Sequence, residues 1–404
     1  MSVPALRFKD DDGRDFPKWG LKLLGEFATF AKGKGISKAD INVEGLTPCI
    51  RYGELYTEYG ETIREIKSKT NIDIKNLVLS ELNDVIIPAS GETQIDIAKA
   101  SCVQLAGVAL GGDLIIIKSH ENGVFISYYL NSQKKLDIAK LAQGNSVVHL
   151  YSSQLKKLSI NLPLKAEQTK IANFLTAVDE KIQHITQKSD LLAQYKKGVM
   201  QQIFSQELRF KDDDGGEFPA WETRLLKDVL LKNSTKNKKS EFSLVQSVSN
   251  KHGFINQNEL FENRVIASTD LSNYYVIKKG AFAYNPSRID VGSLAYQGDD
   301  LTSVVSPLYV SFYAVPLLIV DLFLFNWFES EQFTSQMNSS FEGSVRNTLS
   351  YESLSRISFA LPCLNEQTKI AYFLTAIDDK IIHTQTQLAA VKEYKQGLLQ
   401  QMFV

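Results

Sequence analysis

Two stretches of the chain place apolar side chains at alternating intervals of three and four residues. The first series runs Ile171, Leu175, Val178, Ile182, Ile185, a polar Ser189, Leu192, Lys196, Val199, Ile203. The second runs Ile370, Leu374, Ile377, Ile381, Thr384, Leu388, Val391, Lys395, Leu398, Met402. Such alternation is a heptad seam, the stripe that one helix offers another. Each stretch follows a strand-like run that ends at Leu-Pro (162–163 and 361–362), where proline closes the ladder. Helix begins near Glu167 and Glu366, whose carboxylates suit a helix N-terminus. A helix of about 42 residues is about 60 Å long. It cannot bury its stripe alone, so the pattern predicts two long antiparallel helices forming a coiled coil that acts as a spacer.

The two stretches are copies of one another. Residues 160–204 and 359–403 are identical at 22 of 45 positions without a gap. A second repeat pairs RFKDDDGRDFPKWG (7–20) with RFKDDDGGEFPAWE (209–222), identical at 10 of 14 positions. The repeat offset is 202 at this motif and 199 at the helix. Repeats at such a period set the architecture before any local reading. They divide the chain into an opening segment (1–20), a first variable block (21–159), a helical spacer (160–208), a second opening segment (209–222), a second variable block (223–358) and a closing helical spacer (359–404). The organisation expected is an internal pseudo-twofold repeat.

The blocks read as mixed α/β (α+β). Strand-like runs are DVIIP (84–88), DLIIIKS (113–119) and GAFAYNP (280–286). Helix-like runs are 123–142 and 321–338. Each block closes through a polar, glycine-containing loop, 142–149 and 341–348. Residues 308–328 are apolar enough to suggest a membrane span. Pro316 and Asp321 interrupt them and no basic residue flanks them closely, so a buried strand leading into an apolar helix is expected, with no membrane.

Composition narrows the chemistry. The chain is 44% apolar and 23% charged, ordinary for a globular protein. Its net charge of −1 gives no compositional argument for nucleic acid, although local patches set the field at a groove. Cys49, Cys102 and Cys363 are scattered, which suits a reducing cytoplasm and no metal site. The opening residues lack the apolar core of a signal peptide.

No catalytic motif is found: no phosphate loop, no HExxH, no GxSxG. The glycines of AKGKG (31–35) and LGGD (110–113) do not form a GxGxxG. NPSR (285–288) resembles the Asn-Pro-Pro-aromatic motif of amino-methyltransferases but lacks its second proline and its aromatic, so a turn after a strand is expected. What remains are polar loops at matching places. Lys32, Lys34 and Lys38 in the first block, with Lys236, Lys238 and Lys239 in the second, suit phosphate contacts. Arg51, Tyr52, Asn145, His149, Asn285, Arg288, Arg346 and Asn347 are of types that read base edges. Two functions stay open on this reading: a sequence-specific DNA-binding subunit, or a non-enzymatic adaptor with two protein- or glycan-binding domains.

The doubled LPxxxEQTKIAxFLTAxDxKI (162–182, 361–381), YKxGxxQQxF (195–204, 394–403) and FPxW (16–19, 218–221) closely resemble the specificity (S) subunit of type I restriction-modification systems. Within the blocks, CIRYGELYTEY (49–59) and residues 248–286 look like target recognition domains of that family. The resemblance implies that each block reads one half of a split, asymmetric double-stranded DNA target. It implies that the helices set the spacer and dock two modification (methyltransferase) subunits. The residues carried over for docking and spacing are Gln168, Ile171, Phe174, Leu175 and Ile182, with Gln367, Ile370, Phe373, Leu374 and Ile381. It implies no cofactor in this chain. S-adenosylmethionine is expected on the methyltransferase subunit, and ATP and Mg on a separate restriction subunit.

Overall fold

The computed structural model describes residues 4–144, 147–250, 253–257, 270–341 and 347–404. The heptad stretches are two unbroken helices, Lys165–Phe204 and Leu364–Met402. The chain forms two compact units: Met1–Thr186 with Thr386–Val404, and Gln187–Gln385. Each unit therefore holds one block, the start of one long helix and the end of the other. In the first unit Ile171, Leu175 and Val178 share a core with Leu398 and Met402. In the second, Val199 and Ile203 share one with Ile370, Leu374 and Ile377. The start of one helix meets the end of the other, so the helices are antiparallel and join two globular blocks.

The same strand pair opens and closes each block. Gly20–Leu23 pairs antiparallel with Ser159–Leu162, Gly20 opposite Leu162. Glu222–Leu225 pairs with Ser358–Leu361, Glu222 opposite Leu361. These partners are related by the two repeat offsets, so both blocks hang from an equivalent ladder.

Inside the first block a five-stranded sheet has the order Ala28–Lys32, Leu114–Ser119, Asp84–Pro88, Ser101–Val103, Thr62–Ile63. Its central strands are apolar over residues 85–87 and 114–117, where both faces are covered. Side chains alternate between faces: Val85, Ile87, Ile115 and Ile117 enter the core shared with the helices. Ile86, Leu114 and Ile116 enter a second core on the other face. The second block repeats this with a four-stranded sheet, Leu230–Lys232, Val310–Ala314, Ala281–Tyr284, Leu294–Tyr296. There Phe282 and Tyr284 face the helical core, and Ala281 and Ala283 the other.

Each helix-like run divides in two. Gly123–Ser132 is followed by Lys135–Leu141, and Asp321–Phe328 by Glu331–Ser339. The second break is set by Ser330, whose hydroxyl accepts from the Phe333 amide and caps a new helix. The apolar 308–328 stretch is strand Val310–Ala314, a turn, then Asp321–Phe328. Among the described residues no helix is long and apolar enough to cross a membrane.

Candidate nucleic-acid interface and the clasps that hold it

The repeated motifs meet in space. Glu167 is fully buried at the start of the first long helix. It accepts two hydrogen bonds from the Arg7 guanidinium, 2.9 and 2.7 Å, and one from Trp19 Nε1 at 3.2 Å. Arg7 also donates to the Pro17 carbonyl. The second unit repeats this clasp with Glu366, Arg209 (2.9 and 2.7 Å) and Trp221 Nε1 (2.9 Å). A bidentate Arg–carboxylate pair fixes orientation as well as charge. The guanidinium pKa rises in both, chiefly through that hydrogen bond. Phe8 packs edge-on against Phe174, and Phe210 against Phe373. Lys170 reaches the Lys9 carbonyl and Asp11, as Lys369 reaches the Lys211 carbonyl and Asp213.

The next residue of the motif staples the block. Gln168 Oε1 accepts from the amide of Asn122, which caps the buried helix Gly123–Ser132. Its Nε2 donates to the Pro163 carbonyl and to Glu121. Gln367 likewise accepts from the Val320 amide and donates to the carbonyls of Pro362 and Leu318. Strand end, long helix and buried helix are tied by one side chain in each unit.

At the far end of each long helix a seam lysine meets an aspartate of the other helix. Lys395 lies 2.7 Å from Asp179 and 3.1 Å from Glu61. Lys196 lies 2.8 Å from Asp378 and 2.9 Å from Glu329. The terminal aromatic of the motif then docks on the block: Phe403 against Trp19, Phe125 and Tyr129, and Phe204 against Phe323.

The first block has a loop edge of its own. A Cβ on Gly33 would fall 2.0 Å from the Gly111 carbonyl oxygen, and one on Gly111 3.2 Å from that of Ile50. Glycine is required for so close an approach, and it brings the loops at 33–35, 50–52 and 110–112 together. The glycines of AKGKG and LGGD thus have a packing role that no phosphate-loop pattern reveals. Lys34 is exposed on this edge, with Lys32 and Lys38 exposed beside it along the chain. Arg51 is half-buried. Its Nη2 lies 3.6 Å from Glu54, and its Nε is buried with no hydrogen-bond partner among the described residues. Tyr52 packs edge-on against Tyr56, whose hydroxyl donates to the Ser90 carbonyl. Ser90 pairs in turn with His149, which is exposed. The contacts therefore run without a break from Lys34 to His149. The edge is not uniformly basic: burial, then Tyr52, Asp96, Asp113 and Glu92, push the Tyr56 hydroxyl pKa up. Asn145 lies outside the described residues.

In the second block Lys236 sits over the Tyr275 ring, 3.2 Å from its centroid, and Lys238 and Lys239 are exposed. The NPSR segment is a turn after strand Ala281–Tyr284. The Asn285 side chain accepts from the Ser287 amide, and Arg288 is exposed. The Leu349 amide donates to the Pro286 carbonyl, which brings exposed Asn347 near this turn. Arg346 lies outside the described residues.

The residues carried over for docking sit inward. Gln168, Ile171, Leu175, Gln367, Ile370 and Leu374 are buried. Phe174, Ile182, Phe373 and Ile381 are half-buried against the core of their own unit. These side chains take part in seating each helix on its block, and the four half-buried ones keep part of their surface open. Sequence reasoning missed Arg7, Trp19, Arg209 and Trp221, although their repetition was visible. Among the described residues no group of three His, Cys, Asp or Glu is placed to hold a metal.

The model of the type I restriction modification DNA specificity domain matches residues 17–194 and again 220–393. The type I restriction enzyme MjaVIII specificity subunit of Methanocaldococcus jannaschii is 26% identical over 97% of this chain and 94% of its own. A putative MjaX specificity subunit of the same organism is 32% identical over 28% of this chain and 29% of its own. In fold, the S subunit of a type I restriction-modification system from M. genitalium aligns over 100% of this chain and 99% of its own. Its TM-score is 0.63 at 15% identity. A chain from a structure concerned with assembly of the type I R-M system aligns at TM-score 0.53 and 15% identity, over 96% and 98% of the two chains.

Proposed function

We infer that this chain, which belongs to the type I restriction modification DNA specificity family, is the non-catalytic DNA-recognition subunit of a type I restriction-modification complex. Both halves of the chain match the same family model, and each match spans a variable block together with the tryptophan and the glutamate of its clasp. That doubling carries the reading. Nothing in it favours a protein- or glycan-binding adaptor.

In finer detail, each block reads one half of a split, asymmetric double-stranded target. The blocks differ in sequence while their frames repeat. In the first block Lys34 and its neighbours hold phosphates, while Arg51, Tyr52 and His149 face base edges. In the second, Lys236, Lys238 and Lys239 take the phosphate role, and Asn285, Arg288 and Asn347 the base role. The long helices fix the distance between half-sites. Two modification subunits carry S-adenosylmethionine and methylate adenine, and a restriction subunit carries ATP and Mg. The assembly works in the cytoplasm. Long-read methylation sequencing of a strain with and without this gene tests the reading. A split adenine motif that appears with the gene supports it, and identical methylomes contradict it.

A further inference from the structure

The sheets of the two blocks present the same three strand ends on one side. In the first block, Ala28–Lys32 runs out into residues 33–35, Asp84–Pro88 into 89–91, and residues 111–113 lead into Leu114–Ser119. These ends carry Lys34, Ser90 and Gly111 of the loop edge. In the second block, Leu230–Lys232 runs out towards Lys236, Lys238 and Lys239, and Ala281–Tyr284 into the Asn285 turn. There Tyr284 lies opposite Val310, so residues 306–309, which lead into Val310–Ala314, leave the sheet beside that turn. The place held by Gly111 and Gly112 in the first block is held in the second by Pro307 and Leu308.

The 306–309 turn is closed and holds Leu308 outward. The Tyr309 amide donates to the Ser306 carbonyl at 3.1 Å, and the Leu308 amide to the Ser306 hydroxyl at 3.3 Å. Pro307 fixes φ at the second position of the turn. Leu308 is 81% exposed. At the same end of the sheet stand exposed Ser287 and Arg288, and Asn347 is brought near by the hydrogen bond from Leu349 to Pro286. A single exposed leucine is ordinary, but this one stands among the residues set against DNA. Neither Pro307 nor Leu308 has a side-chain donor or acceptor, so they hold neither a phosphate nor the polar part of a base edge. The apolar group that base edges expose is the C5-methyl of thymine, in the major groove.

We propose that Leu308 packs on the C5-methyl group of one thymine in the half-site read by the second block. That block then reads an A·T pair through an apolar contact, beside the polar contacts of Arg288 and Asn347. The proposal rests on the functional reading above and adds to it a specificity-determining residue and the group that residue recognises. Gly111 and Gly112 carry no side chain at the equivalent place, so the first block makes no such contact from this turn.

Methylation sequencing supplies the split motif for the test. Duplexes carrying that motif, with each thymine on either strand replaced in turn by deoxyuridine, compete for the full chain in complex with its modification subunit. Loss of the methyl group that Leu308 covers is expected to weaken binding about fourfold, the value of one buried methyl group. Leu308→Ala is expected to bind the thymine duplex several-fold less tightly and to abolish the preference for thymine at one position only, in the half that Arg288→Ala relaxes. Leu308→Met, close in volume, is expected to keep that preference. Leu317, 89% exposed beyond the other end of Val310–Ala314, serves as the control. Leu317→Ala is expected to match the wild type at every position. A wild type indifferent to deoxyuridine throughout, or preferences that all survive in Leu308→Ala, overturns the contact and leaves the functional reading intact. A complex that binds the motif no better than a scrambled duplex overturns that reading and the contact with it.

Discussion

Lys395 and Lys196 hold the same place in two copies of one repeat, yet they end in different company. Each pairs with an aspartate of the opposite helix, Asp179 or Asp378. The third partner is Glu61, just before strand Thr62–Ile63 in the first block, but Glu329, just after helix Asp321–Phe328 in the second. Those glutamates are not related by the repeat. The first unit adds the Tyr128 hydroxyl, donated to Asp179. The Arg–Glu–Trp clasps, by contrast, agree to within a few tenths of an ångström. The hydrogen bonds of the clasp, made only by repeated residues, are duplicated. Wherever a block contributes, the chain has found a local solution. The frame tolerates different blocks because its Arg–Glu–Trp joints are made by repeated residues alone.

Substitutions at the joints should break this comparison most visibly. Glu167→Ala or Glu366→Ala strands a partly buried guanidinium and an indole N–H and should cost about 3 kcal/mol in chemical denaturation. The two costs should be equal, and a clear inequality would show that the blocks do enter the clasp. Lys395→Met should cost about 2–3 kcal/mol, and Lys196→Met less, because Glu329 is the more exposed acid. The first substitution also carries a pH signature. Burial holds the Asp179 pKa above its ordinary value, against the opposing pull of Lys395. The folded chain therefore keeps that proton to higher pH than the unfolded chain, and this group lowers stability as pH rises through the interval. Without Lys395 the interval extends upward, so Lys395→Met should lose more stability than wild type between acid and neutral pH. Equal losses in pH-dependent melts would contradict this.

At the loop edge, Arg51→Ala should remove about 1–3 kcal/mol of base discrimination. Lys34→Ala should weaken all duplexes alike and reduce the salt slope by about 1. Competition binding at several salt concentrations, using the chain with its modification subunit, separates the two. Smallest of all, Glu61→Gln and Glu329→Gln should each cost less than about 1 kcal/mol, since both acids are partly hydrated. A large loss from either would mean that a block residue is essential to the joint.

The long helices, their antiparallel pairing and the matching ends of the blocks were legible in the sequence. Heptads and the Leu-Pro boundary are local signals, and repetition doubles them. The clasps were not legible. Glu167 reads as an ordinary first-turn acid, and only the fold shows that it is buried 160 residues away from Arg7 in sequence. The inward placement of Gln168 was hidden for the same reason, since a polar residue looks like surface until its three partners are known. The edge at Gly33, Gly111 and Arg51 joins loops that no periodicity connects. Its residue types were visible and its continuity was not.

The central claim is that the repeated frame holds and the two blocks choose. Long-read methylation sequencing of strains carrying Arg51→Ala or Arg288→Ala tests it most directly. Each variant should relax one half of a split motif and leave the other half and the spacer unchanged, with the two variants affecting opposite halves. A change in both halves from either substitution, or an altered spacer, would contradict the account.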